Sequence, residues 1–224
     1  RYIGKLALHL PNGVNVRDFE NGEGRRFKKA HGFRPEDRLV VCIGRIDHQK
    51  NQTALVDAFA RLAAPDNHLH LVLIAPRTND EYAEKLVSQA SRLGIEHKFH
   101  LLPPLAQGSP ELADAYKSAA VFVVPSLHEP FGIVALEAWA AKRAVVAARV
   151  GGLAHFIEDN RDGLLFSHDE RDGLYLALKA VLENRHLARR LGEKGYAKAR
   201  ERYGWDGIAE SLLELYARLI RSRV

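Results

Sequence analysis

From Leu39 onward, short apolar runs alternate with segments whose apolar residues recur at three- and four-residue spacing. The run Leu-Val-Val-Cys-Ile at 39–43 ends at Gly44 and predicts a strand buried on both faces. The next segment, 53–62, sets Leu55, Phe59 and Leu62 on one helical stripe. The cycle then repeats, predicting strands over 69–75, 98–102, 120–124, 144–148 and 163–166. Helices are predicted between them over 82–93, 110–118, 131–141 and 153–158, and from about Asp169 the pattern is of three more. This alternation predicts an α/β fold: a doubly wound parallel sheet of the Rossmann-like kind, with helices on both faces. Ahead of it, 6–10 has the makings of a short strand. Pro11-Asn12-Gly13 is a turn signal, and a charged stretch leads to about 35. The last helix carries Trp205, Ile208, Leu212, Leu215, Tyr216 and Leu219 along one broad stripe. That stripe either packs on this domain's own sheet or covers a neighbouring domain.

Composition narrows the class more than the chemistry. With 224 residues, 46% hydrophobic and 27% charged, the chain is of the soluble globular type and can bury a sizeable core. The net charge of +5 favours anionic partners without choosing among phosphates, nucleic acid and acidic membrane surfaces. Cys42, the lone cysteine, excludes an internal disulfide and a multi-cysteine metal site and fits a reducing cytoplasm. No apolar stretch approaches the roughly 20 residues that span a bilayer. The first ten residues are too short and too charged for a secretory signal. Methionine is absent, at position 1 as elsewhere, which suggests a chain that starts inside a longer gene product.

In open parallel sheets, ligands gather beyond the carboxyl ends of the strands, where loops run into helix N-termini. The first such loop is Gly44-Arg45-Ile46-Asp47-His48-Gln49-Lys50-Asn51. Two cations beside a helix N-terminus are unfavourable unless an anion is near, and a phosphate would satisfy them together with the free N–H groups. The plainer reading is of two solvated cations partly neutralised by Asp47. The second loop, 125–132, ends in Gly132 and feeds the helix Ile-Val-Ala-Leu-Glu-Ala-Trp-Ala-Ala, where Glu137 is the only charge. With no basic residue three or four positions away, Glu137 needs a specific polar partner, for which ribose hydroxyls would serve, or else it faces water. Glu129 reads, at its simplest, as charge complementarity to the same helix start. The pair Gly151-Gly152 marks either a tight turn or a place where ligand meets backbone.

Glu129 and Glu137 form an E-x7-E pattern in the setting His-Glu-Pro-Phe-Gly-Ile-Val-Ala-Leu-Glu-Ala. Together with Gly44-Arg45, Lys50-Asn51 and Gly151-Gly152, the chain resembles the C-terminal, donor-binding domain of retaining glycosyltransferases of the two-domain GT-B fold, the group 1 family. The likeness covers nearly the whole chain, including Pro11-Asn12-Gly13-Val14-Asn15 and Tyr203-Gly204-Trp205. It implies a linker segment at 1–35, a nucleotide-sugar-binding domain at 36–204 and a closing helix at 205–224 set against an N-terminal domain. By the same resemblance, Arg45 and Lys50 neutralise the departing diphosphate and Glu129 binds hydroxyls of the transferred sugar. Phe131, Gly132, Ile133 and Val134 supply backbone contacts beside Gly44, and Glu137 holds the ribose. The implied ligand is a UDP-, GDP- or ADP-sugar, with no cofactor and no metal, since no Asp-x-Asp motif is present.

The acceptor would sit mainly on an N-terminal domain that does not precede Arg1, so this chain alone is expected to bind donor and to transfer poorly. Nucleic acid is not an expected partner. The expected location is cytoplasmic, with peripheral membrane association a further implication of the family. Departures from the family are Lys142 and Ala144, where Gly and Pro are usual, and His155, where Glu is frequent. Two other classes stay open: an epimerase-like sugar-nucleotide enzyme using His48, His128 or His155, and a nucleotide-binding module without catalysis.

Overall fold

A computed structural model describes residues 10–64 and 66–221. The strand expected at 6–10 falls almost wholly outside them. Two short helices come first, α1 (Val16–Glu20) and α2 (Gly24–Ala30), neither of which the sequence pattern predicted. Each buries a single side chain, Phe19 and Phe27, so there is too little periodicity for a pattern to show. The alternating core follows: β1 (Arg38–Ile43), α3 (Gln52–Ala63), β2 (Leu69–Ile74), α4 (Asp80–Arg92), β3 (Phe99–Leu102) and α5 (Pro110–Ser118). It continues with β4 (Ala119–Val124), α6 (Ile133–Ala140), β5 (Val145–Ala148), α7 (Gly151–Phe156) and β6 (Leu164–Phe166). Three helices close the described chain, α8 (Gly173–Glu183), α9 (Arg185–Arg202) and α10 (Trp205–Arg221).

The six strands are parallel and lie in the order β3-β2-β1-β4-β5-β6. Strand residues alternate between two cores. Val40, Cys42, Val121 and Val123 face α3, α4 and α8, while Leu39, Val41, Phe122 and Val124 face α5 and α6. This is the doubly wound α/β fold that the alternation predicts. Because the order reverses between β1 and β4, the loops leaving their carboxyl ends diverge to opposite faces and leave a crevice. The reversal singles out two loops from all those at this edge.

Trp139 on α6 is fully buried, and its Nε1 donates to the Asp162 carbonyl at 2.9 Å. α9 lies against it through Gly195, where an added Cβ would stand 2.2 Å from the indole. Lys142 follows α6 with φ +59, the left-handed conformation that favours glycine, and its N–H closes on the Trp139 carbonyl at 2.8 Å. A side chain at this position is strained, which accounts for the glycine usual in the family.

Val14, just ahead of α1, is pinned to the start of α10. Val14 N donates to the Tyr203 carbonyl at 2.7 Å, and Trp205 N donates to the Val14 carbonyl at 3.3 Å. α10 itself buries none of its residues, and Trp205, Leu213, Tyr216 and Ile220 are exposed. Its stripe does not pack on the sheet.

On the outer strands, His70 Nδ1 and His100 Nε2 lie 3.2 Å apart, with Phe33 against both rings. Burial lowers the affinity of both imidazoles for a proton, pushing His100 down to about 4. Between that value and the ordinary imidazole value of about 6.5, the unfolded chain binds a proton that the folded chain refuses. Stability is therefore expected to fall as the pH drops through this window, and His100→Gln should flatten the fall. Thermal midpoints by circular dichroism across the window check this; a wild-type midpoint that stays level would count against it.

Candidate functional site

The loop after β1 is fixed before it reaches any ligand. The Asp47 carboxylate accepts from Lys50 N at 3.1 Å and so caps a 3-10 turn over His48–Lys50. Asn51 then takes the left-handed conformation, and buried Gln52 donates Nε2 to the Arg45 carbonyl at 2.7 Å. The Thr78 hydroxyl donates to the Ile46 carbonyl at 3.0 Å. Held this way, Lys50 reaches across the crevice, and its ammonium lies 2.7 Å from Glu129 Oε2 on the loop after β4. Glu129 is 7% exposed, and the Ser126 hydroxyl donates to the same oxygen at 3.3 Å. The sequence gives no sign of this pairing, since the two residues are 79 positions apart.

The Glu129 loop is shaped by the third strand-to-helix junction. Gly152 N donates to the Glu129 carbonyl at 2.9 Å. A Cβ on Gly151 would stand 2.1 Å from that same carbonyl oxygen, and one on Gly152 would stand 2.5 Å from Phe131 Cα. Gly151, with φ +45, meets the tight-turn requirement, and the pair also lets one loop backbone lie against the other. Gly132, with φ +99, starts α6 beneath Leu153, and the first N–H groups of that helix have no acceptor within it.

Beside Lys50 is a cavity of about 320 Å³ lined by Gly44, Ile133, Val134 and Glu137, with Ile74, Pro76, Leu105 and Gln107 opposite. The Lys50 side chain passes close to one of its lining residues, since a Cβ on Gly44 would lie 4.0 Å from Lys50 Cε. Glu137 is 5% exposed and accepts from the Tyr116 hydroxyl at 2.5 Å and from Gln107 Nε2 at 2.8 Å. Burial raises the Glu137 carboxyl above the usual carboxylate range, while those two hydrogen bonds pull the other way. Burial and the adjoining carboxylate push Tyr116 well above the ordinary phenol value. Glu137 therefore has the specific polar partners that its sequence context requires, and they are protein groups. A carboxylate offers about four acceptor positions, so two bonds leave it capacity for a ligand hydroxyl.

Of the residues singled out from the sequence, Gly44, Ile133, Val134 and Glu137 share one cavity, and Lys50 and Glu129 pair with each other across the loops after β1 and β4. Gly132 sets the turn between these groups. Arg45 is more than half exposed and rests 3.2 Å from Asp47 at the rim. Phe131 stacks on Phe156 with ring centroids 5.4 Å apart, so its side chain belongs to an aromatic cluster with Tyr203. His48 packs on Tyr82, and His128 is exposed. Tyr116 and Gln107 were not found by sequence reasoning, and neither sits in a motif that marks it. No helix among the described residues is long and apolar enough to cross a membrane.

A family model described as glycosyl transferases group 1 matches residues 24–198. Among curated proteins, the chain is 34% identical to a D-inositol 3-phosphate glycosyltransferase of Streptomyces bingchenggensis, over 97% of this chain and 49% of that protein. It is 31% identical to an uncharacterized glycosyltransferase of Methanocaldococcus jannaschii, over 92% of this chain and 52% of that protein. The chain thus spans about half the length of the curated relatives it matches. Among solved structures, Anabaena HepE in complex with UDP and glucose superposes with a TM-score of 0.81 at 23% identity, over 92% of this chain and 55% of that one. Sucrose-phosphate synthase from Thermosynechococcus elongatus gives 0.81 at 26% identity, over 95% of this chain and 52% of that one.

Proposed function

The chain belongs to the group 1 glycosyltransferases, and from that premise we propose that it is the donor half of a retaining transferase, binding a nucleotide sugar between the loops after β1 and β4. The observation that carries the proposal is the cavity at the sheet's reversal, lined by Gly44, the first residues of α6 and buried Glu137, with the Lys50–Glu129 pair joining the same two loops. The ribose binds at Glu137, the diphosphate lies against Lys50 and the N-terminus of α6, and the sugar meets Glu129.

A diphosphate entering the site competes with Glu129 for Lys50 and frees a carboxylate oxygen for sugar hydroxyls. As the bond from sugar to diphosphate breaks, charge grows on the leaving oxygens, and Lys50, rim Arg45 and the α6 N–H groups stabilise it. Preorganised cations and dipoles fill the place of a metal in this scheme. The acceptor hydroxyl attacks from the face that the diphosphate leaves, on a surface supplied largely by an N-terminal domain. Protein of this kind acts from the cytoplasm, and α10 covers part of that second domain.

Calorimetric titration with UDP, GDP and ADP, followed by sugar conjugates of the best binder, tests the reading. Binding no tighter than millimolar for all three would remove it. Glu137→Gln is expected to weaken nucleoside and nucleoside diphosphate alike, by roughly tenfold, the worth of a charged hydrogen bond. A loss confined to the diphosphate would move Glu137 away from the ribose.

A further inference from the structure

At the edge of the sheet opposite Lys50 and Glu129, where β1, β4 and β5 begin, a cavity of about 460 Å³ opens between α6, α8 and α9. Arg38, Lys142, Arg143, Arg185 and Arg189 line it, and its one carboxylate, Glu193, is already 2.7 Å from Arg189. A second cavity of about 370 Å³ adjoins it across Arg38, Ala120 and Arg143, adding Arg25, Lys28 and Lys117. The acids there, Glu36 and Asp37, lie 3.8 and 3.3 Å from Arg34. Arg38 is held by Asp66 and by the Leu182 carbonyl at 2.7 Å.

Arg143 stands in the wall common to both cavities and lacks such partners. Its Nε is buried with no hydrogen-bond partner among the described residues. Nη1 reaches only the Ala119 carbonyl, at 3.4 Å. Burial lowers its proton affinity, and Lys117 is lowered by burial and by the like charges of Arg143 and Lys142. The C-terminal ends of α5 and α6 carry partial negative charge, which makes cations tolerable here. They give Nε no acceptor, however, and a buried donor left unmade costs about 1–3 kcal/mol. Arg185 forms no ion pair among the described residues. A guanidinium offers its donors in a fixed fork that matches the oxygens of a phosphate.

We propose that this edge is a second ligand site, taking a phosphate group on Arg143 with Lys142 and Arg185 at its sides. An oxygen acceptor there takes the Nη donors of Arg143, of which Nη1 has only the long Ala119 contact, and relieves the repulsion among the surrounding cations in one step. The phosphate comes either from a soluble phosphorylated compound or from a phospholipid headgroup, since both present the same oxygens. The site shares no lining residue with the donor cavity and lies at the opposite ends of the strands.

Side-chain Nε resonances of the full chain, titrated with inorganic phosphate and with chloride at matched ionic strength, test it. Arg143→Lys assigns the signal. We expect a saturable shift of the Arg143 signal with phosphate only, weakened roughly tenfold by Arg185→Gln, the loss typical of one charge-assisted contact. Lys50→Ala should leave this response unchanged, which separates the site from the donor reading. Co-sedimentation with phosphatidic acid and phosphatidylcholine vesicles, competed by free phosphate, would assign the headgroup as the source. A phosphate shift without sedimentation assigns a soluble ligand. A shift equal in chloride, or saturable binding that Arg185→Gln leaves intact, overturns the proposal. Arg185 is exposed, so its variant keeps the test valid if Arg143 variants fold poorly.

Discussion

Replacing Lys50 with alanine is expected to lower sugar transfer by an enzyme carrying this chain about a hundred- to a thousandfold, the usual worth of one preorganised charge-stabilising group. The effect should fall on kcat and on affinity for nucleoside diphosphate, with affinity for the bare nucleoside little changed. The geometry also predicts a structural penalty. Lys50 is the salt-bridge partner of Glu129, and both side chains are largely buried, at 21% and 10% exposure. Removing one member of a buried pair strands the other, at a cost of about 3–5 kcal/mol when burial is complete and less at this exposure. Lys50→Ala with Glu129→Gln should therefore recover stability without recovering transfer. Melting curves and initial rates on the single and double variants separate the two effects. A double variant with restored transfer would mean that neither the Lys50 charge nor the Glu129 carboxylate is needed for transfer.

Gly151→Ala should be the most damaging methyl addition near the site. At φ +45 an alanine is strained by about 1–2 kcal/mol before any contact is counted. Its Cβ would also stand 2.1 Å from the Glu129 carbonyl oxygen, so the backbone of one loop or the other must move. Strain and displacement together are expected to cost about 3–5 kcal/mol, which lowers the melting temperature by roughly 10 °C in a domain of this size. Gly207→Ala is the control, because nothing lies within 4 Å of its added Cβ. In the first turn of α10, that change should be neutral or mildly stabilising. Equal melting temperatures for the two variants would show that the loops can part without penalty. Nucleotide binding should fall with Gly151→Ala as well, because the displaced segment carries Glu129.

These two variants also show what the sequence made legible. The strands could be read because both faces of each are covered, so their apolar runs are unbroken, as in Val121 to Val124. Lys50 and Glu129 could be placed in ligand-facing loops because strand and helix fix which end of the sheet a loop leaves. Their pairing could not, since it depends on β4 lying beside β1, and no local pattern records strand order. Tyr116 and Gln107 escaped for the same reason: each meets Glu137 only after α5 packs against α6. A neutral tyrosine within a helix and a glutamine in a loop look like any others until then. Gly151-Gly152 offered a turn or a ligand contact; the φ of Gly151 agrees with the turn, and the packing on the Glu129 loop is a further use that requires knowing where the neighbouring loop runs. The stripe on α10 carried two readings, and only its exposure in the folded domain decides against the sheet.

The pinning of Val14 between Tyr203 and Trp205 gives α10 the mechanics of a lever. Its fulcrum is a pair of backbone hydrogen bonds, with Gly13 against the Trp205 ring. Its arm is 17 residues, about 25 Å at helical rise, so a tilt of roughly 10° at the fulcrum carries the far tip about 4 Å. Whatever grips the exposed apolar side of that arm gains leverage on the aromatic cluster of Tyr203, Phe156 and Phe131, one residue from Gly132. A small turn at the rim of the domain is thereby geared to the loop that holds Glu129.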